Sequence, residues 1–135
     1  ITSCHAVPLG RAGGLQITED KTSITLIFAN GSVGTVHYLG NGSKAFPKER
    51  LEVFAAGRVL QLGDFKTLQA WSWPGFRKLN LRKQDKGHAA AISAFVAALV
   101  EGASAPIPFD ELVEVSRVSI AAADLVRSGG GLAQF

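Results

Sequence analysis

From Thr2 to Arg82 apolar residues recur at every second position or in short β-branched runs, and glycine, proline or asparagine interrupts each run. That is the period of strands joined by tight turns. Thr2–Leu9 reads as a first strand that Pro8 brings to an end, with a glycine-rich turn at 10–14 and an edge or terminal place in a sheet. Thr22–Ala29 and Ser32–Leu39 flank Asn30-Gly31, the strongest short hairpin signal. Gly34 within the return strand suggests a bulge or the close approach of another backbone. In Leu51–Ala55 the residues Leu51, Val53 and Ala55 fall on one side and Glu52 and Phe54 on the other, before a turn at Gly57 and a second strand to Leu62. Phe65–Trp73 and Phe76–Arg82 follow, separated by Pro74-Gly75. Connections this short rarely allow a parallel crossover, so the strands predict a meandering, mainly antiparallel sheet.

The period changes at His88. Ile92, Phe95, Val96 and Leu99 have helical spacing, Asp85 is placed to cap and Gly102 to stop, which predicts a helix over about 87–101. A proline-containing linker leads to a second helix with Asp110 and Glu111 in its first turn and a polar stripe at Glu114, Arg117, Asp124 and Ser128. Its small residues Ala121–Ala123 permit a close approach to a neighbour. The tail 128–135 is expected to fray. Strands followed by helices define an α+β fold: an open-faced, mainly antiparallel sheet of about six or seven strands with two helices packed on one face. Apolar residues occur on both sides of several strands (Ile24, Leu26 and Phe28 against Ile27; Val36 against Val33 and Leu39). The free face is therefore expected to be covered by another sheet or domain.

Composition adds limits. At 135 residues the chain is long enough for a single domain, 1–135, with a core of its own. A hydrophobic fraction of 47% and mean hydropathy of +0.19 exclude disorder. The absence of Met and the start at Ile1 suggest a piece of a longer polypeptide. Net charge +3 with dispersed basic residues tolerates anions without arguing for nucleic acid. A single cysteine, Cys4, no signal peptide and no apolar run of membrane-spanning length point to the cytoplasm, with no membrane partner.

The candidate chemistry is thin. Cys4 and His5 are strand neighbours facing opposite ways, and with His37 and His88 they make no metal-ligand spacing. No serine or cysteine sits in a nucleophile elbow. Gly10–Gly14 and Gly129–Gly131 lack the GxGxxG order, and the Asn-Gly-Ser stretches at Asn30 and Asn41 read as turns. Arg77, Lys78, Arg82, Lys83 and Lys86 near Trp71 and Trp73 have the residue types of a nucleic-acid surface, but lysine-protected strand edges explain them, and no nucleic acid is expected. Lys44, Phe46 and Lys48 on the loop before Leu51, with His88 opening a helix, could hold hydroxyls or an anion, although sequence does not place them together and, taken alone, they read first as a loop of solvated lysines.

Four stretches in order carry a likeness to a known family: ITLIFANGSVGTVHYL (24–39), KERLEVFAAGRVLQL (48–62), HAAAISAFVAALVEG (88–102) and PIPFDELVEVSRVSIAAADLVRSG (106–129). Together they resemble the C-terminal domain of the glucose–fructose oxidoreductase/inositol dehydrogenase family of NAD(P)-dependent oxidoreductases. The wording SKAFPKERLEVF looks like a subgroup fused behind a zinc-type alcohol-dehydrogenase half. The resemblance implies a domain that forms the substrate-site floor and associates as a homodimer or tetramer through its open sheet face. It implies a sugar, polyol or other alcohol substrate, and NAD or NADP bound by an N-terminal Rossmann domain upstream of Ile1. The family's E-K-P lysine and D-x-x-x-H histidine would lie there too, so no catalytic, cofactor or metal residue is expected in this fragment and the fragment alone is expected to be inactive. His5 and His37 do not match the histidine motif. The family's substrate-contacting aromatic falls near Phe46 and Pro47, and its helix-opening tyrosine falls on His88; Ala55-Ala56-Gly57 departs from its glycine-rich hairpin. The alternative is a non-catalytic sheet module for protein–protein association.

Overall fold

The computed structural model describes residues 1–10 and 19–135. In order the elements are β1 (Ser3–Pro8), β2 (Lys21–Ile27), β3 (Val33–Leu39), β4 (Arg50–Ala55), β5 (Arg58–Gly63), β6 (Thr67–Trp71), β7 (Lys78–Asn80), α1 (His88–Glu101), α2 (Phe109–Arg127) and β8 (Gly131–Gln134). The fold is α+β with antiparallel pairing throughout these strands. Among the described residues the strands divide into two sheets of four, ordered β3-β2-β1-β8 and β4-β5-β6-β7. They belong to two compact units, Ile1–Gly42 with Ala105–Phe135, and Ser43–Ser104. The glycine-rich turn expected at 10–14 lies, beyond Gly10, outside the described residues.

In the first unit, α2 packs on β1 and β8. Val118, Ala122 and Val126, four residues apart, make the buried stripe of the helix, and it meets Cys4 and Ala6 of β1, both fully buried. Small side chains on both sides bring helix and sheet close, and Ile24, Leu26, Leu125 and Phe135 close the margins of this core. Burying a valine such as Val118 or Val126 contributes about 1.5–3 kcal/mol. Asp110 and Glu111 in the first turn of α2 and Arg127 in the last suit the helix dipole. Arg127 also reaches Glu19 with a two-pronged contact, Nε to Oε1 at 2.7 Å and Nη2 to Oε2 at 3.1 Å. The opposite face of this sheet leaves Val33, Leu39 and Leu132 more than half exposed.

The tail does not fray. Gly129 and Gly130 have φ of 97° and 106°, and the Gly130 N–H donates to the Leu125 carbonyl at 2.7 Å, so the pair reverses the chain at the end of α2. A Cβ at Gly130 would lie 3.1 Å from Val7, and one at Gly131 would lie 3.1 Å from Leu125. The glycine run therefore serves both reversal and close approach, and it delivers β8 alongside β1, with Ser3 opposite Gln134. Gly34, in turn, makes no bulge: it pairs regularly with Leu26, and its open side faces the Phe28 ring at 3.5 Å.

In the second unit the register sorts side chains cleanly. Leu51, Leu62, Leu68 and Leu79 stand opposite one another across all four strands, with Val53, Leu60 and Ala70 in the next row of the same face. The other face carries the row Glu52, Gln61, Gln69 and Lys78, within which the Gln61 amide donates to Glu52 at 2.7 Å. Three of the connections put non-glycine residues in the left-handed region: Ala56 (φ 49°) before Gly57 (φ 72°), Asp64 (φ 50°) with Phe65 (φ 49°), and Ser72 (φ 57°). Phe65, expected in a strand, is thus a turn residue, and β6 begins at Thr67. Helix α1 ends at Gly102 as expected; Gly87 occupies its N-cap while Asp85 accepts from the Gly87 N–H at 2.8 Å. Unlike α2, it buries none of its residues. No helix among the described residues is long and apolar enough to cross a membrane.

Candidate functional site

The loop that leads into β4 is built by local chemistry. The Phe46 N–H donates to the Ser43 carbonyl at 3.0 Å and the Ala45 N–H to Ser43 Oγ at 3.3 Å, a turn that leaves Phe46 69% exposed. Pro47 fixes the next backbone angle and removes a donor, so the ladder starts after it, at Arg50. Lys44 and Lys48 are exposed on this loop and His88 is exposed at the start of α1.

A polar ring ties the loop to the segment that precedes α1. Glu49 is ion-paired to Lys86, while its carbonyl accepts from the Asp64 N–H at 2.7 Å. Gln84 Nε2 donates to the Asp64 carbonyl at 3.0 Å and to its Oδ1 at 2.8 Å. The Asp85 N–H donates to the Phe65 carbonyl at 3.0 Å, and the Lys86 ammonium lies 5.7 Å from the Phe65 ring centre. The hydrogen bond from Lys86 and then its charge, helped by the charge of Lys48, hold the Glu49 carboxyl below the usual carboxylate range. Glu49 Oε2 is shielded from solvent and has no hydrogen-bond partner among the described residues.

This ring fixes where Lys48 and His88 start from: Lys48 adjoins Glu49, and His88 is two residues beyond Lys86. Among the described residues, however, no hydrogen bond or ion pair joins Lys44, Phe46, Lys48 and His88 to one another; the contacts run through Glu49, Asp64, Gln84 and Lys86. Lys44, Phe46 and Lys48 are thus exposed on one loop and His88 at the start of α1, and the described contacts do not bring the four side chains together. Lys86 stands out in the sequence only as one of a basic set, and its pairing with Glu49 is not legible there because opposite charges 37 residues apart carry no periodic signal.

Elsewhere the chemistry is spare. Cys4 is fully buried while His5 on the same strand is exposed, as alternate strand positions require. Burial pushes the Cys4 thiol up, away from the reactive thiolate. Among the described residues no three His, Cys, Asp or Glu side chains gather into a metal-binding group. Comparison with family models, curated proteins and solved structures returns no match for this chain.

Proposed function

We propose that the chain is the substrate-floor and oligomerisation domain of a cytoplasmic NAD(P)-dependent dehydrogenase acting on a sugar, polyol or other alcohol, assembled as a homodimer or tetramer. The observation that carries the association is the leucine row of β4–β7, whose ends Leu51 and Leu79 are 56% and 49% exposed. Seven apolar side chains sharing one face form the kind of patch that ordinarily meets a partner. The oxidoreductase assignment rests on the ordered likeness of residues 24–39, 48–62, 88–102 and 106–129 to that enzyme family.

On this reading Phe46 forms an apolar wall, Lys44 and Lys48 draw an electron-rich substrate, and His88 shares a hydrogen bond with a hydroxyl. Gly129–Gly131 do not suit a dinucleotide, because they close the C-terminal end of α2, whereas a pyrophosphate seeks the N–H groups at a helix N-terminus. NAD(P) and the proton-transferring groups then belong to a separate domain.

The coding sequence upstream tests the reading. A GxGxxG after a strand, followed by an E-K-P stretch, supports the dehydrogenase; their absence favours a non-catalytic module that binds protein through the same leucine face. In the joined polypeptide, Lys48→Ala and His88→Ala are expected to raise KM for the alcohol with kcat retained, and unchanged kinetics for both would remove them from the site. Oxidation of a polyol by residues 1–135 alone with NAD(P) would overturn the division of labour.

A further inference from the structure

The connection from β6 to β7 shapes a wide cleft of about 700 Å³ that is largely open to solvent. Trp71, Trp73, Phe76, Gln69, Arg77 and Lys78 line it, and none of these belongs to the Lys44–His88 corner. The backbone explains how so many rings gather in one connection. Ser72 takes a left-handed conformation with φ of 57°, which turns the chain sharply between the two tryptophans. Pro74 and Gly75 (φ 71°) then occupy the central positions of a reverse turn closed by the Phe76 N–H on the Trp73 carbonyl at 3.5 Å. A non-glycine residue held in this region costs about 1–3 kcal/mol, a strain that tends to mark working sites.

The walls have a definite chemistry. Trp71 keeps 48% of its surface in water, an unusual exposure for so large an apolar ring. The Arg58 guanidinium sits 5.5 Å from the centre of the Trp73 ring, a cation–π contact that steadies the indole. No carboxylate lines the cleft. Indole faces take a flat ring or the C–H face of a sugar, guanidinium and ammonium donate charge-assisted bonds to an anionic substituent, and the Gln69 amide can both donate and accept. The lining is confined to residues 69–78, a single turn, so the fit is to a small molecule and not to a long polymer.

We propose that this cleft binds a small ring-bearing anion: a single ring, or a ring and sugar, carrying one carboxylate or phosphate. A uronic acid and a nucleoside monophosphate share that chemistry. The test is a titration followed by tryptophan fluorescence and by calorimetry, at low ionic strength, with glucuronate against glucose and AMP against adenosine. At least one anion should bind about tenfold more tightly than its neutral counterpart, and the pair that does so identifies the ligand as saccharide or nucleotide. Trp71→Ala should weaken binding about tenfold or more, with a lower melting temperature because about half of the side chain is buried, and Trp71→Phe, which keeps a ring, should retain most of both. The Arg77→Gln, Lys78→Gln double variant should abolish the preference for the anion while retaining the residual ring affinity. Failure of both anions to bind at about 10 mM, equal binding of anion and neutral ring, or unchanged affinity in both variants would overturn the proposal.

Discussion

Replacing Leu79 by aspartate separates a face that meets a partner from one that is merely exposed. Leu79 ends the leucine row on β7, the edge strand of its sheet, and is 49% exposed. Complete burial of a leucine side chain contributes about 1.5–3 kcal/mol, and half of that is already realised within the single chain, so covering the remainder is worth about 1 kcal/mol. A two-fold association counts the residue twice, for about 2 kcal/mol, or roughly a thirtyfold change in dissociation constant. The desolvation of the new carboxylate makes this a lower bound. Within one chain the half already buried is lost as well, about 1 kcal/mol, so the melting temperature of the variant should fall by about 4–8 °C and the comparison is made well below it. Sedimentation velocity over a concentration series reads the constant directly. Wild type is expected to associate and Leu79→Asp to remain monomeric at the same concentrations, whereas Gln61→Lys on the opposite face should associate like wild type. A wild type that stays monomeric throughout, or equal constants for wild type and Leu79→Asp, would refute the reasoning.

Other outcomes follow from the local chemistry. Ala56→Asn should stabilise Ser43–Ser104 by about 1 kcal/mol, because asparagine tolerates the left-handed conformation that alanine adopts at φ 49°; a melting temperature about 4–8 °C higher is the readout. Ala122→Leu should cost about 1–3 kcal/mol in denaturant unfolding, since Ala122 is 4% exposed against the first sheet. The Arg127 hydrogen bond lowers the Glu19 pKa from 4.5, so the pair contributes fully above that value and loses its contribution as pH falls through the lowered folded value. Glu19→Gln should therefore flatten the acid limb of the stability profile while leaving its alkaline side unchanged, as a pH series of melts would show.

The faces of the strands were legible because alternation has only two answers: once Leu51, Val53 and Ala55 are placed on one side, pairing carries Leu60, Leu62, Leu68 and Leu79 to the same face. The division into two sheets was not, because alternation says which side of a strand is apolar and nothing about which strand lies next to it. Helix α1 shows the same limit: Ile92, Phe95, Val96 and Leu99 have the spacing of a packed stripe, yet each is at least half exposed, since spacing marks the side that seeks cover without supplying it. The tail misled for a different reason. Glycine carries no hydrophobic pattern, so a run that reverses the chain reads like one that ends it. At the candidate site the exposed Lys44, Phe46, Lys48 and His88 could be picked by residue type, whereas the ring through Glu49, Asp64, Gln84 and Lys86 depends on contacts between distant segments.

The placement of β8 beside β1 has a kinetic consequence. Ser43–Ser104 is continuous in sequence, and the pairings of β4 with β5 and of β5 with β6 are local, so its sheet can form as soon as those residues leave the ribosome. The first unit cannot close on the same schedule. Its first strand holds Cys4 and Ala6 ready, but the helix and strand that cover and flank them follow only after all of Ser43–Ser104. During synthesis the edge of β1 that β8 will occupy stays open until Gln134 has been added, and this is the interval in which a stray strand could take its place.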